Sequence, residues 1–266
     1  MRIVYLDNQA TTPIDPRVLE MMLPFLKEHY GNPASRNHIL GWQAEEAVEI
    51  ARENVAALIK AENNEIVFTS GATESINLAI QGLFNKTIEK GDHIIISNIE
   101  HSSVIDTANQ LLKNGVEISI AKVNKQGILE INEFEKHLKH NTKFCSIIHA
   151  NNEIGTIQPI EDLGRICREN GIIFHVDAAQ SLGKRRIDVD KMNIDLLSLS
   201  GHKIYGPKGV GALFVRRKNP RVELHPLIFG GGHEGGLRSG TSAVHDIVGF
   251  GHACKIYQEE NNNENK

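Results

Sequence analysis

Seven short apolar runs, separated by segments with helical spacing, constrain the fold of this sequence more than any other feature. The runs cover residues 65–69, 93–97, 117–123, 144–150, 172–176, 195–200 and 210–215. Most of them are continuously apolar rather than alternating, which is typical of strands covered on both faces in a mainly parallel sheet. The sequence therefore predicts seven strands, most of them buried on both sides.

Apolar residues at helical spacing fill the intervals between these runs. They predict helices over 73–84, 102–113 and 160–169, and a further amphipathic helix over 41–59, ahead of the first strand. Strands that alternate with helices predict an α/β layered domain with right-handed crossovers. A helix is expected to begin at residues 247–257. Residues 259–266 contain only Glu, Asn and Lys, and are expected to form a solvated or disordered end.

Composition and charge exclude several classes of protein. The 266 residues carry a net charge of −4, with 40% hydrophobic and 23% charged residues. These fractions are close to those of globular proteins and exclude a disordered chain, a collagen-like chain and a coiled coil. The charge balance leaves no basic surface for nucleic acid and disfavours a membrane surface. No apolar run is long enough to cross a bilayer, and the first residues lack the order of a signal peptide or transit segment.

The cysteines give information about the cellular compartment but do not indicate a catalytic thiol. Cys145, Cys167 and Cys254 are too few and too scattered for a disulfide framework, so we expect a reducing, cytoplasmic environment. Their apolar surroundings favour core positions over nucleophiles. No zinc-binding spacing occurs, so no metal site is predicted. Residues 230–235 match G-x-G-x-x-G, but no helical pattern follows, which argues against a dinucleotide site.

A lysine and an aspartate follow two of the predicted strands. Lys203 comes directly after the strand at 195–200, where desolvation disfavours its ammonium form and makes it a candidate Schiff-base nucleophile. Asp177 follows the strand at 172–176, at the edge where open α/β sheets bind ligands. A lysine that forms an imine and an aspartate that pairs with a pyridinium nitrogen are what pyridoxal phosphate needs. The alternatives are a surface lysine on a loop and an aspartate that caps a short helix.

Three further polar segments also follow predicted strands. The turn at 69–75, which contains Gly71 and Thr73, predicts an anion site at a helix N-terminus, or an ordinary helix cap. His101 is placed to stack on a planar ring and to move protons, or to make a local hydrogen bond. Asn152 offers an amide to a ring oxygen or a substrate carboxylate, or belongs to a polar turn. Taken alone, each segment is weak evidence for a functional site.

Together, these motifs occur in the order of one known family. They are residues 5–13 and 31–36, the Ser-Gly-Ala-Thr-Glu-Ser segment at 70–75, the His-Val-Asp-Ala-Ala-Gln segment at 175–180, the segment 200–209 around Lys203, and Arg-Ser-Gly-Thr at 238–241. From about residue 3 to about residue 258 the sequence closely resembles the pyridoxal-phosphate-dependent cysteine desulfurases of the class V aminotransferase group, in particular the iron–sulfur cluster assembly branch. The resemblance implies pyridoxal-phosphate fold type I, with a mainly parallel seven-stranded sheet flanked by helices.

The resemblance also implies a role for each matching residue. Lys203 would bind the cofactor through an imine and later move the α-proton of the substrate, and Asp177 would pair with the pyridinium nitrogen. His101 would stack on the ring and act as acid and base. The ring hydroxyl would lie near Asn152 and Gln180, and the phosphate would be held by Ala72, Thr73, Ser200 and His202. Thr241 would reach the phosphate of the partner subunit, which implies a homodimer with shared active sites.

The family reaction converts L-cysteine to L-alanine and passes the sulfur to a loop cysteine as a persulfide, for an acceptor or scaffold protein. In the family that cysteine and the substrate-binding arginine lie downstream of Arg-Ser-Gly-Thr, and none of the three cysteines here matches the loop. Gly235 also stands where the family usually has arginine. We therefore expect a truncated desulfurase that is inactive alone and lacks most of the small C-terminal domain.

Two other functions are alternatives for this sequence. The first is a cofactor-binding, non-catalytic partner subunit of a longer homologue. The second is a selenocysteine lyase or another class V aminotransferase, which the close match around Lys203 and at residues 5–13 disfavours. In each case the expected organisation is an N-terminal arm over 1–14, a large cofactor-binding domain over 15–246, and a connecting helix with a polar tail over 247–266.

Overall fold

The computed structural model describes residues 3–84 and 86–264, with the side chains described as far as residue 260. All seven predicted strands are present: β1 (Ile66–Thr69), β2 (His93–Ser97), β3 (Glu117–Ala121), β4 (Thr142–Ile148), β5 (Ile173–Asp177), β6 (Leu196–Ser200) and β7 (Gly211–Val215). Their ends differ from the predicted ends by at most two residues, and β2 has the predicted bounds. The predicted α/β fold is therefore confirmed.

The strands form one sheet in the order β1-β7-β6-β5-β4-β2-β3. Strand β7 runs antiparallel to β1 and β6, and the remaining neighbours are parallel. Every residue of β2, β6 and β7 is buried, which agrees with their mainly apolar sequences. The parallel strands β2, β4, β5 and β6 end at a common edge, so the residues that follow them are brought together.

Helices cover both faces of the sheet. They are α1 (Pro16–Lys27), α2 (Ile39–Ile59), α3 (Ala72–Leu83), α4 (Ser102–Lys113), α5 (Ile131–Glu135), α6 (Ile160–Glu169) and α7 (Val244–Glu264). One apolar cluster joins α1, α2, α6 and α7 to one face, and a second joins α3 and α4 to the other. The predicted helices at 41–59, 73–84, 102–113 and 160–169 correspond to α2, α3, α4 and α6.

Helix α1 was not predicted, although its start carries a standard signal. Asp15 accepts a hydrogen bond from the backbone N–H of Arg17 at 2.8 Å, and Pro16 occupies the first turn, where a missing N–H does no harm. Pro24 lies inside the helix and interrupts its helical pattern in the sequence. Burial of Val18 and Met22 compensates for this interruption by anchoring the helix to the core.

Of the two alternatives predicted for 259–266, a solvated or a disordered end, disorder is wrong for residues 259–264, which are helical, while residues 259 and 260 are exposed. Helix α7 begins at Val244, three residues before the predicted helix, and continues to Glu264. It lies so close to α2 that a Cβ on Gly251 would approach the Cα of Ala51 to 2.4 Å. An ion pair of 2.8 Å between Glu260 and Arg17 ties its polar part to α1. Tertiary contacts thus extend a helix whose last residues have little apolar content, and residues 265–266 lie outside the described residues.

The described part of the chain offers neither a candidate membrane span nor a candidate metal site. No helix there combines the length and the apolar character that a membrane span requires. No group of three or more His, Cys, Asp or Glu side chains there is arranged to hold a metal ion.

Candidate active site

The turn between β1 and α3 is built to present backbone N–H groups. Gly71 lies at the N-cap of α3 with φ of 149°, a conformation that favours glycine over residues with a Cβ. The Oγ1 of Thr69 and the Oγ of Ser75 lie 2.8 Å apart, and Ser75 also donates to the carbonyl of Gly71 at 3.2 Å, which fixes the turn. The first-turn N–H groups of Ala72 and Thr73 have no carbonyl within the helix to bond, so they suit an anion.

Lys203 lies in the single helical turn that follows β6, residues Gly201–Lys203. Its Nζ donates hydrogen bonds to the carbonyl oxygens of Gln9, at 2.5 Å, and Ala10, at 2.9 Å. Burial lowers the pKa of Lys203, and the positive charge of Lys184 lowers it further. The amine is therefore easier to deprotonate than an exposed lysine, which is the property that a Schiff-base nucleophile needs.

Asp177 ends β5, the strand next to β6, and is 4% exposed. Burial raises its pKa, while the N–H of Ala179 and the charges of His101 and Lys203 act in the opposite direction. Its Oδ1 accepts from the Ala179 N–H at 2.9 Å, and the residues that follow form turns rather than a helix. The alternative role as a helix cap is therefore not what the structure shows. A buried carboxyl here suits a cationic ring nitrogen.

Histidine and amide side chains complete this edge of the sheet. His101 begins α4, where its Nδ1 accepts from the Ser103 N–H at 3.1 Å and lies 2.7 Å from the Ser103 hydroxyl. The local hydrogen bond considered for this histidine thus exists, and it holds the ring at the mouth of the site. Gln180 donates from Nε2 to the carbonyl of Gln9 at 2.9 Å. Asn152 lies in the turn after β4 and bonds the carboxylate of Glu153.

One cavity of about 590 Å³ brings almost all the predicted site residues together. Nine of the ten line it: Ala72, Thr73, His101, Asn152, Asp177, Gln180, Ser200, His202 and Lys203. Thr241 does not. It is exposed and lines a separate cavity of about 90 Å³, together with Ser70 and Arg238. Within this chain the structure therefore leaves Thr241 apart from the other predicted residues.

Several lining residues were missed by reasoning from the sequence. Gln9 and Ala10 lie in the motif at 5–13, but nothing in the sequence indicates that their carbonyl groups reach the lysine. Glu74 lines the cavity as well, accepting from the Ser70 N–H at 2.7 Å and from Arg238 Nε at 3.0 Å. A glutamate early in a helix is a common capping signal, and this one holds the anion-binding turn to the Arg-Ser-Gly-Thr segment.

Comparison with known proteins identifies the family. A sequence model described as "Aminotransferase class-V" matches residues 4–265. The chain belongs to the class-V aminotransferase family. Among curated relatives, the cysteine desulfurase IscS of Pectobacterium carotovorum is 55% identical over 259 residues, and the mitosomal cysteine desulfurase of Trachipleistophora hominis is 54% identical. Each match covers 97% of this chain, which spans 64% and 58% of the respective relatives.

A solved structure of a class-V relative supports the same assignment. The structure described as SspA in complex with cysteine superposes with a TM-score of 0.91 at 47% identity, over 95% of this chain and 72% of that one. The family uses pyridoxal 5'-phosphate. The amine, the buried carboxyl, the imidazole and the anion-binding turn of this cavity fit the aldehyde, the ring nitrogen, the ring face and the phosphate of that cofactor.

The three cysteines of the chain are all buried. Cys145 on β4, Cys167 on α6 and Cys254 on α7 each have 0% exposure, which confirms that they occupy core positions. Burial raises the pKa of Cys145 and of Cys254 well above the usual value for a thiol. Because the thiolate is the nucleophile, neither of these thiols is poised to attack a substrate.

Proposed function

We propose that the protein is a pyridoxal-phosphate-dependent cysteine desulfurase and that this chain supplies its cofactor-binding part. The main support for the proposal is that Lys203, Asp177 and the anion-binding turn line one cavity. Asp177 and Lys203 lie at the ends of the neighbouring strands β5 and β6. The relatives described as cysteine desulfurases, and the solved relative bound to cysteine, support L-cysteine as the substrate.

Each side chain of the cavity has a task that follows from its position. Lys203 supplies the amine that holds the cofactor and moves a proton at Nζ, for which its lowered pKa is suited. Asp177 would keep a proton on the ring nitrogen, the state in which the bound cofactor would supply an electron sink. His101 would stack on the ring and exchange protons with the substrate. Before any of this, Lys203 has to leave the carbonyl groups of Gln9 and Ala10.

The remaining assignments concern the ring oxygen, the phosphate and the assembly. We assign Asn152 and Gln180 to the ring hydroxyl, and Ala72, Thr73, Ser200 and His202 to the phosphate. The exposure of Thr241 outside the cavity supports a contact with the site of a second copy in a homodimer. An acceptor or scaffold protein would receive the sulfur for iron–sulfur clusters. A cytoplasmic location stays a prediction, since one of the relatives is mitosomal.

A non-catalytic, cofactor-binding partner subunit is the second candidate. The burial of all three cysteines favours it, because a desulfurase needs an accessible thiolate to take the sulfur. If the protein is a desulfurase, that thiol comes from residues other than these three cysteines.

Cofactor binding tests the central assignment. Purified protein incubated with pyridoxal phosphate is expected to gain the yellow absorbance of the lysine-bound cofactor, and Lys203→Ala is expected to abolish it. Lys208→Ala is the matched control, because Lys208 lines the same cavity but is exposed and is expected to leave the absorbance unchanged. Absorbance that survives in Lys203→Ala at the wild-type level would remove Lys203 from this role.

A further inference from the structure

Glu100 is a buried carboxyl group that none of the assignments above uses. It lies in the turn after β2, directly before His101, and is 6% exposed. Its Oε1 accepts two hydrogen bonds, from the Ser97 hydroxyl at 2.5 Å and from the backbone N–H of Ile148 at 2.9 Å. Its Oε2 is buried and has no partner among the described residues. A glutamate so enclosed requires an explanation, because burying a charged group is unfavourable.

The hydrogen-bond pattern fits a neutral carboxylic acid better than a carboxylate. Both donors bond the same oxygen, so an ionised group would leave its other oxygen buried without any donor. With a proton the group carries no net charge, and a neutral carboxyl that lacks one partner costs less free energy to bury than a carboxylate in the same place. Burial raises the pKa of Glu100 to about 8, which agrees with a protonated group at neutral pH.

The titratable groups near Glu100 belong to the cofactor cavity and the core. Ile148, whose N–H bonds the carboxyl, pairs with Asp177 in the sheet, and the charge of Asp177 raises the pKa of Glu100 further. The thiol of Cys145, on β4, is a further titratable neighbour. Two buried carboxyl groups this close do not readily ionise together. A neutral Glu100 thus leaves the negative charge on Asp177.

The same hydrogen bonds fix the turn that carries His101. Glu100 joins this turn to the last residue of β4, and Asn151 reinforces the link by donating from Nδ2 to the carbonyl of Ile99 at 2.9 Å. We propose that Glu100 is a positioning residue of the cofactor site: as a neutral acid it holds the His101 turn against the end of β4 and leaves the negative charge of this pair of buried carboxyl groups on Asp177. This proposal rests on the proposed function.

Infrared spectroscopy tests the charge of Glu100 without any cofactor. The difference spectrum between wild type and Glu100→Gln is expected to contain a carboxylic-acid carbonyl band at pH 7 that disappears as the pH rises through about 8. Glu117→Gln is the matched control, since Glu117 is exposed and paired with Lys139, and it is expected to show only a carboxylate band. A carboxylate band for Glu100 at pH 7 would overturn the proposal.

Titration with pyridoxal phosphate, followed by absorbance, tests the positioning. Glu100→Gln, which keeps a neutral acceptor, is expected to bind within about twofold of wild type, whereas Glu100→Ala is expected to bind about tenfold more weakly because it frees the turn. Equal binding by all three proteins, or equal loss in both variants, contradicts the proposal. If wild type itself binds no cofactor, the proposed function fails, and the site role of Glu100 fails with it while its infrared band still reports its charge.

Discussion

Replacing Glu100 by glutamine is expected to stabilise the fold at neutral pH, by an amount that grows with pH. The pKa of this carboxyl is raised from 4.5 to about 8 by burial. Between those two pH values the unfolded chain is ionised while the folded chain keeps its proton, so the unfolded state binds fewer protons. The free energy of unfolding of wild type therefore falls by about 1.4 kcal/mol per pH unit across this window.

The size of the effect follows from the distance between pH 7 and the unfolded pKa of 4.5. That distance is about 2.5 units, so ionisation of the unfolded chain lowers the stability of wild type by about 3 kcal/mol at pH 7. Glutamine has no proton to lose and escapes this penalty. It also keeps an oxygen that can accept from Ser97 and Ile148.

Urea denaturation at several pH values between 5 and 8 measures the effect. The difference in unfolding free energy between Glu100→Gln and wild type is expected to rise steadily over this range. Glu117→Gln provides the control: the pKa of Glu117 is lowered by its hydrogen bond to Lys139, so its difference is expected to stay flat. A difference for Glu100→Gln that is independent of pH, or that shrinks as pH rises, would refute the reasoning.

The remaining predictions concern an ion pair and the thiols. Glu234→Ala is expected to lower the unfolding free energy by about 3–5 kcal/mol, since it leaves Arg52 buried without its two-point partner. Glu49→Ala, which removes the exposed partner of the same arginine, is expected to cost less than about 1 kcal/mol; equal losses in urea denaturation would contradict this contrast. After incubation with pyridoxal phosphate and L-cysteine, mass spectrometry is expected to find no persulfide on the three cysteines, because all are buried. A persulfide on any of them would assign the sulfur-accepting step to this chain and exclude the non-catalytic candidate.

The strands and the edge that carries the site were predictable because their signals are local. The run at 93–97 has three consecutive isoleucines at its centre, and continuously apolar residues are typical of a strand buried on both faces. Asp177 and Lys203 each follow such a run. Parallel strands bring their carboxyl ends to one edge of the sheet, so the two residues meet there.

Contacts between distant segments were not predictable in this way. The carbonyl groups of Gln9 and Ala10 bond Lys203 across more than 190 positions of sequence, and a backbone carbonyl leaves no trace in the residue letters. The end of α7 was not predictable either. Its Asn and Glu residues resemble a disordered tail in the sequence, but they belong to a helix in which Glu260 pairs with Arg17.

Glu100 shows most plainly which properties the sequence determines and which depend on the tertiary structure. The sequence by itself determined that a glutamate would stand beside His101, just past a buried strand, and it determined the chemistry available at that edge of the sheet. Whether the glutamate is a surface charge or a neutral acid was decided by the tertiary structure alone. The charge of a carboxyl depends on the water it has lost and on the donors and charges around it, and here these come from β2, β4 and β5 together.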